Sequence, residues 1–391
     1  MADMSDTAEI TAIHAAQHIK RGPRWNRTLV RIETDRGVSG YGEMGTDGQT
    51  ARGQIGQLES LLVGTDPLAI ERTYDRLSGL QHSHRPHYPV ISGIDIALWD
   101  LAGKLLDRPV SRLLTGQFRA EIPYYVNSAP EDLLDPDTCE RWADELRDDP
   151  ASPSTVKVSF DEVITSDEST NTAQLRRERT TLGASEYRAV GEAAANVRDA
   201  LGTDRDFIAH CHNEWDLPSA LGIAEAIAPA HPLWLEDPLP VEYGDAWATL
   251  ESKAPCRILT GEKLEGVREF EPFMDNSAVD IVQPDLVFAG GITGCRRIAR
   301  LADRHAMPVT AHNTGGLLQN AATLHFAAST RNFWMTETML TQSESRQAMG
   351  EAPGLDVRED ALGVPTGPGL GVTVDDDAIQ DMLIESETAY W

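Results

Sequence analysis

The chain has 391 residues and carries 62 acidic against 34 basic side chains, a formal charge of −28. It is long enough to bury a large core and to form more than one domain. That charge excludes partners that need a basic face, nucleic acid and anionic membrane among them, and no apolar run near 18 residues or apolar leader is present, so a soluble, cytoplasmic protein is expected.

Residues from about 8 to 45 read as strands: Ile10 to His14, Asn26 to Thr34, a turn at Asp35-Arg36-Gly37, then Gly40 to Glu43. A helical pattern follows from about Ala51 to Leu80, with Ile55, Leu58, Leu61, Leu62 and Leu68 at three- and four-residue spacings. His82, His84 and His87 share a loop with Arg85 and Pro86; the proline-broken spacing favours a solvated or mouth-facing loop over a metal site. The stretch from Tyr88 to Lys104 is apolar on nearly every side, which predicts a buried helix between two domains. Pro109 opens a shorter helix ending near Gly116.

From Ile122 the pattern becomes periodic. Ile122-Pro123-Tyr124-Tyr125 and Thr155 to Phe160 read as strands, and five more apolar runs end on His210, Glu236, Glu262, Asp285 and His312, at steps of 26, 26, 23 and 27 residues. A further step of 25 reaches Glu337. One strand, one loop and one helix take roughly 25–30 residues, the unit of a (β/α)₈ barrel, whose chemistry sits where the strands end. An acid after a strand is often only a helix cap, but six in phase predict a ring of carboxylates and imidazoles around one cavity. The fold expected is a modified (β/α)₈ TIM-like barrel over residues 123–341, with an α+β capping domain from 1–122 and a Pro- and Gly-rich segment, 342–391, returning to it. The polar run from Asp161 to Arg179 reads as an insertion over the barrel mouth or a mobile lid.

Two compositional features bear on surroundings. Only five lysines are present, and an acid-rich, lysine-poor surface resembles that of proteins from salt-loving organisms, where salt screens self-repulsion. Cys139, Cys211, Cys256 and Cys295 lie far apart without a C-x-x-C spacing, so reduced thiols are expected.

The Gly93-Ile94-Asp95-Ile96-Ala97-Leu98-Trp99-Asp100-Leu101-Ala102-Gly103-Lys104 helix, Trp234-Leu235-Glu236-Asp237-Pro238, Thr260-Gly261-Glu262, Gln283-Pro284-Asp285 with Gly290-Gly291-Ile292-Thr293, and Ala311-His312-Asn313 occur in an order that resembles the enolase superfamily, in its mandelate racemase-like subgroup. The resemblance covers nearly the whole chain. It implies capping loops at Gln17–Trp25 and Glu43–Arg52 that close on the substrate, and Mg²⁺ held by residues ending the third, fourth and fifth strands, here His210, Glu236 and Glu262. The family usually has Asp where His210 stands. Imidazole suits Mn²⁺ or a softer divalent ion better than Mg²⁺, so either His210 ligates such an ion or a neighbouring acid, Glu214 or Asp216, takes its place.

The family's shared step removes the proton alpha to a carboxylate. Its second-strand Lys-x-Lys motif reads Lys157-Val158-Ser159 here, so the second lysine, a base on one face, is absent. The resemblance leaves Lys157 as a cation for the substrate carboxylate, His312 oriented by Asp285 as base, His212 as the acid that protonates a departing β-hydroxyl, and Glu337 as a group that strengthens its hydrogen bond as charge develops. One base and one acid imply an acid-sugar dehydratase, converting an aldonate to a 2-keto-3-deoxy acid. A cycloisomerase, an epimerase, or a relative that binds without turnover are the alternatives. The partner implied is a small sugar acid, in a homo-oligomer.

Overall fold

The computed structural model describes residues 8–18, 27–80, 86–114, 116–149, 153–164, 180–213, 215–340, 349–358 and 360–391. Most of the Gln17–Trp25 loop, His82, His84, Glu214 and the greater part of the expected 161–179 insertion lie outside these residues.

The first three strands, β1 (Ile10–His18), β2 (Arg27–Thr34) and β3 (Ser39–Met44), form an antiparallel meander. Two helices replace the single helical stretch expected from 51 to 80. Asp47 caps α1 (Gly48–Leu62) by accepting from Thr50 N, and Ala51, Ile55, Leu58 and Leu62 form its buried face. Gly64, at φ +77°, and Pro67 then interrupt the pattern before α2 (Ile70–Ser78).

The helix α3 (Tyr88–Leu105) is buried from Tyr88 through Gly103. It lies against β3 because Gly40 and Gly42 carry no side chain: a Cβ at either position would lie 2.2 Å from Ala97 O or 2.4 Å from Gly93 O. A short α4 (Val110–Leu113) follows Pro109.

Eight parallel strands then close into a barrel: β4 (Glu121–Asn127), β5 (Thr155–Ser159), β6 (Asp206–His210), β7 (Leu235–Glu236), β8 (Ile258–Thr260), β9 (Ile281–Val282), β10 (Val309–Ala311) and β11 (Phe333–Glu337). β11 pairs back onto β4 through Thr336–Tyr124 and Glu337–Tyr125. Tyr125, Ile208, Trp234, Leu259, Ile281 and Met335 fill the interior, while the larger apolar core lies between the strands and the outer helices. Those helices include α5 (Pro136–Asp148), α7 (Ala184–Leu201), α8 (Leu217–Ile227), α9 (Asp245–Lys253), α10 (Gly266–Asp275), α11 (Gly291–Arg304) and α12 (Leu317–Ala328), with a short α6 (Asp161–Ile164) where the insertion begins.

The last segment divides its contacts. Its strand Ala361–Gly363 pairs antiparallel with β4, while Leu370 N donates to Asp100 of α3. The 3₁₀ turn Glu385–Tyr390 returns to the N-terminal elements, where Glu387 pairs with Arg52 of α1 and accepts from Gln17 N of β1. Among the described residues no helix is long and apolar enough to cross a membrane.

Candidate active site

The residues in phase do meet at the strand ends. His210 and Glu236 are cross-strand partners of β6 and β7, and the His210 Nδ1–H donates to Glu236 Oε1 over 2.7 Å. Glu236 also accepts from Lys157 Nζ at 2.9 Å, Trp234 Nε1 at 3.1 Å and Gln283 Nε2 at 3.2 Å, so its buried carboxylate is fully engaged. Burial alone would raise its pKa, but Lys157 and His210 outweigh that and hold it below the usual carboxylate range.

Lys157 bridges to Glu337 Oε2 at 3.0 Å as well. Burial opposes its charge, yet Glu236, Glu337 and Glu262 keep the ammonium above its ordinary pKa. This lysine is therefore a cation shared between two carboxylates, Glu236 and Glu337.

Asp237 is the residue that sequence reasoning missed. Strand alternation turns the neighbour of a mouth-facing Glu236 away from it. Asp237 instead sits in the left-handed region at φ +51°, and Thr260 Oγ1 donates to its Oδ1 at 2.6 Å. A carboxylate oxygen of Asp237, a ring nitrogen of His210 and a carboxylate oxygen of Glu262 lie within 4.8 Å of one another. Asp237 Oδ2 and His210 Nε2 are both buried without a hydrogen-bond partner among the described residues. With its Nδ1–H on Glu236, His210 presents a lone pair at Nε2, as a ligating imidazole does.

Burial, then the nearby His212, keeps the His210 imidazole neutral, with a pKa lowered to about 4. Burial and Glu262 push Asp237 up to about 7. This nitrogen-and-oxygen donor set fits a divalent ion, which would relieve the repulsion between Asp237 and Glu262. Asp216 stands apart as the N-cap of α8, accepting from Ser219 N and Thr181 Oγ1.

On the opposite side, His312 Nδ1 donates to Asp285 Oδ2 at 2.7 Å. Asp285 is fixed in turn by Val287 N and Gln319 Nε2, each at 2.8 Å. The free Nε2 of His312 lies 3.5 Å from Glu262 and 3.6 Å from Glu337, which faces it towards the cavity of the donor set. Burial would lower the pKa of His312, but Glu262, Glu337 and the bond to Asp285 raise it to about 9.

His212 is brought to the site by a different route from simple alternation. β6 ends at His210, and His212 and Asn213 both take left-handed backbone, leaving the rings of His210 and His212 with centroids 3.9 Å apart. Lys263 Nζ secures this turn by donating to His212 O and Asn213 Oδ1. Ser159, half-buried at the end of β5, is the cross-strand partner of His210.

Sequence comparison places residues 8–115 within the mandelate racemase/muconate lactonizing enzyme N-terminal domain and residues 168–378 within the enolase C-terminal domain-like family. A D-xylonate dehydratase of Haloferax volcanii is 32% identical over 93% of this chain and 86% of its own. A D-galactonate dehydratase of Variovorax paradoxus is 28% identical over 95% of this chain and 93% of its own. Among solved structures, a mandelate racemase/muconate lactonizing enzyme-like protein from Rubrobacter xylanophilus superposes with a TM-score of 0.87 at 26% identity, covering 99% of this chain and 100% of that one.

Proposed function

This chain belongs to the mandelate racemase/muconate lactonizing enzyme family of the enolase superfamily, and from that premise we propose that it is an acid-sugar dehydratase. The reaction is loss of the C2 proton and the C3 hydroxyl of an aldonate, with the resulting enol becoming a 2-keto-3-deoxy acid. The observation that carries this reading is the buried Asp285–His312 pair, whose free imidazole nitrogen shares one cavity with the Glu262 carboxylate. Two similar proteins named as sugar-acid dehydratases support it.

His312 takes the C2 proton at Nε2, while Asp285 fixes the tautomer and stabilises the imidazolium that results. Ser159 cannot accept a proton unaided, so a second base is missing from the opposite strand and elimination is favoured over racemisation. His212, beside His210, donates a proton to the departing hydroxyl. Glu337, whose Oε1 is buried without a hydrogen-bond partner among the described residues, would hydrogen-bond the substrate, and Lys157 holds Glu236 and Glu337 in position.

His210 and Glu262 would hold the divalent ion with Asp237, which lies with them, while Glu236, the acid expected from the fourth strand, would have to give up hydrogen bonds to join them. When bound, the ion supplies the positive charge that offsets the negative charge developing on the substrate carboxylate. The imidazole donor favours Mn²⁺ or a softer ion over Mg²⁺.

The test is incubation with a panel of aldonates in high KCl, with Mg²⁺ and then Mn²⁺, followed by assay for 2-keto-3-deoxy acids and for deuterium at C2. Product from one or a few aldonates is expected. Deuterium uptake without loss of oxygen would instead assign an epimerase or cycloisomerase. His312→Asn should abolish exchange, whereas His212→Asn should block elimination and leave exchange intact.

A further inference from the structure

Arg27 of the meander is a charged residue without an acidic partner among the described residues. It begins β2 and is only 6% exposed. Its contacts are a 2.7 Å hydrogen bond from Nη2 to Thr314 Oγ1 and the ring of Phe288, whose centroid lies 5.3 Å from the guanidinium carbon. A buried guanidinium normally has a carboxylate, because an unpaired charge away from water is costly. The chain is rich in carboxylates, so the missing partner is not a matter of supply. Arg27 has five N–H donors in a fixed fork, and among the described residues one of them is used.

Thr314 is two residues beyond His312, and Phe288 is three beyond Asp285, so both belong to loops at the barrel mouth. Gly45 keeps the space tight: a Cβ there would lie 2.4 Å from the Phe288 ring and 3.0 Å from Arg27 Nη1. On the dehydratase reading, the reacting carbon belongs beside His312 and Glu262. Arg27 reaches these mouth loops from β2, outside the barrel.

Building on the dehydratase reading, we propose that Arg27 is a specificity-determining residue that donates hydrogen bonds to the distal hydroxyls of the sugar acid, beyond C3. Thr314 and Phe288 hold its fork in place before the ligand arrives, so little side-chain freedom is lost on binding. A ligand that ends at C3 has nothing for it to contact.

The experiment compares ligand lengths on the metal-loaded protein, in a His312→Asn background that blocks turnover. Calorimetry gives dissociation constants for xylonate, gluconate and three-carbon glycerate, with Arg27 present and with Arg27→Met. Hydrogen bonds to a charged group predict that the substitution weakens the two aldonates by about 10- to 100-fold. Glycerate should change by no more than about 3-fold.

Equal weakening of all three would overturn the proposal, since a structural role or a carboxylate-binding role does not depend on chain length. No change in any would overturn it as well. Arg27→Lys, which keeps the charge and the stem over Phe288 but not the fork, should give an intermediate loss for the aldonates alone; it serves in place of the methionine variant if that one melts early. Failure of the Arg27-containing protein to bind either aldonate would instead remove the dehydratase reading and this inference with it.

Discussion

At the scale of single residues, the site is governed by which carboxylate each cation meets. His312 shows this most directly: with Glu262 and Glu337 beside Nε2, its pKa rises from 6.5 to about 9. In metal-free protein at pH 7 only about one imidazole in a hundred is then free to accept a proton. Metal removal should therefore reduce C2 exchange at pH 7 by at least ~100-fold, with partial recovery towards pH 9, as measured by deuterium uptake in chelator-treated protein. A cation beside Glu262 offsets that carboxylate and lowers the pKa of His312, so metal-loaded protein should exchange at neutral pH. The same shift carries a stability sign. The folded value lies above 6.5, so this contribution is fully present below about pH 6.5 and is lost as pH rises through about 9. A melting temperature for the metal-free protein that rises across that window would contradict the assignment.

Single residues also mark where sequence reading reached its limit. His210, Glu236, Glu262, Asp285, His312 and Glu337 are legible because each ends a run of fixed period. Asp237 and Arg27 have no such signature. Asp237 joins His210 and Glu262 through a left-handed backbone, and Arg27 is brought to Thr314 and Phe288 from a strand distant in sequence.

At the scale of elements, the central joint is α3 against the start of α11. Asp95 Oδ2 accepts from Thr293 N, Trp99 Nε1 donates to Thr293 Oγ1, and Gly290 N donates to Ser92 Oγ. Gly291, at φ +68°, lets the two elements approach: a Cβ there would lie 2.4 Å from Asp95 Oδ2. Gly291→Ala combines a left-handed alanine with that contact and should cost roughly 1–3 kcal/mol. Urea unfolding would show it as a lower midpoint, and an unchanged midpoint would mean that the joint yields. The Gly290-Gly291 pair is visible in the sequence, but its partner, almost 200 positions earlier, is not. Tertiary contact likewise ties β11 to β4 and the final turn to Arg52.

At the scale of the whole molecule, the net charge of −28 sets the response to salt. Debye screening shortens from about 10 Å at 0.1 M to about 3 Å at 1 M, weakening repulsion between exposed acids more than attraction within buried pairs. The melting temperature should rise by on the order of 5 °C between 0.1 M and 2 M KCl. A flat or falling curve in calorimetry would show that surface repulsion does not limit this fold.

The sequence by itself determined the architecture. A period near 25 residues leaves a chain little choice but repeated strand–helix units, and a polar residue at each strand end must then face one mouth. Only the tertiary structure decided how the charges at that mouth are shared. Lys157 lies between Glu236 and Glu337, His210 is turned by Glu236, and Asp237 is left with Glu262 as neighbours for an ion. Periodicity fixes the direction in which a side chain leaves its own strand, whereas a charge is governed by every group within a few ångströms, whatever its place in the chain.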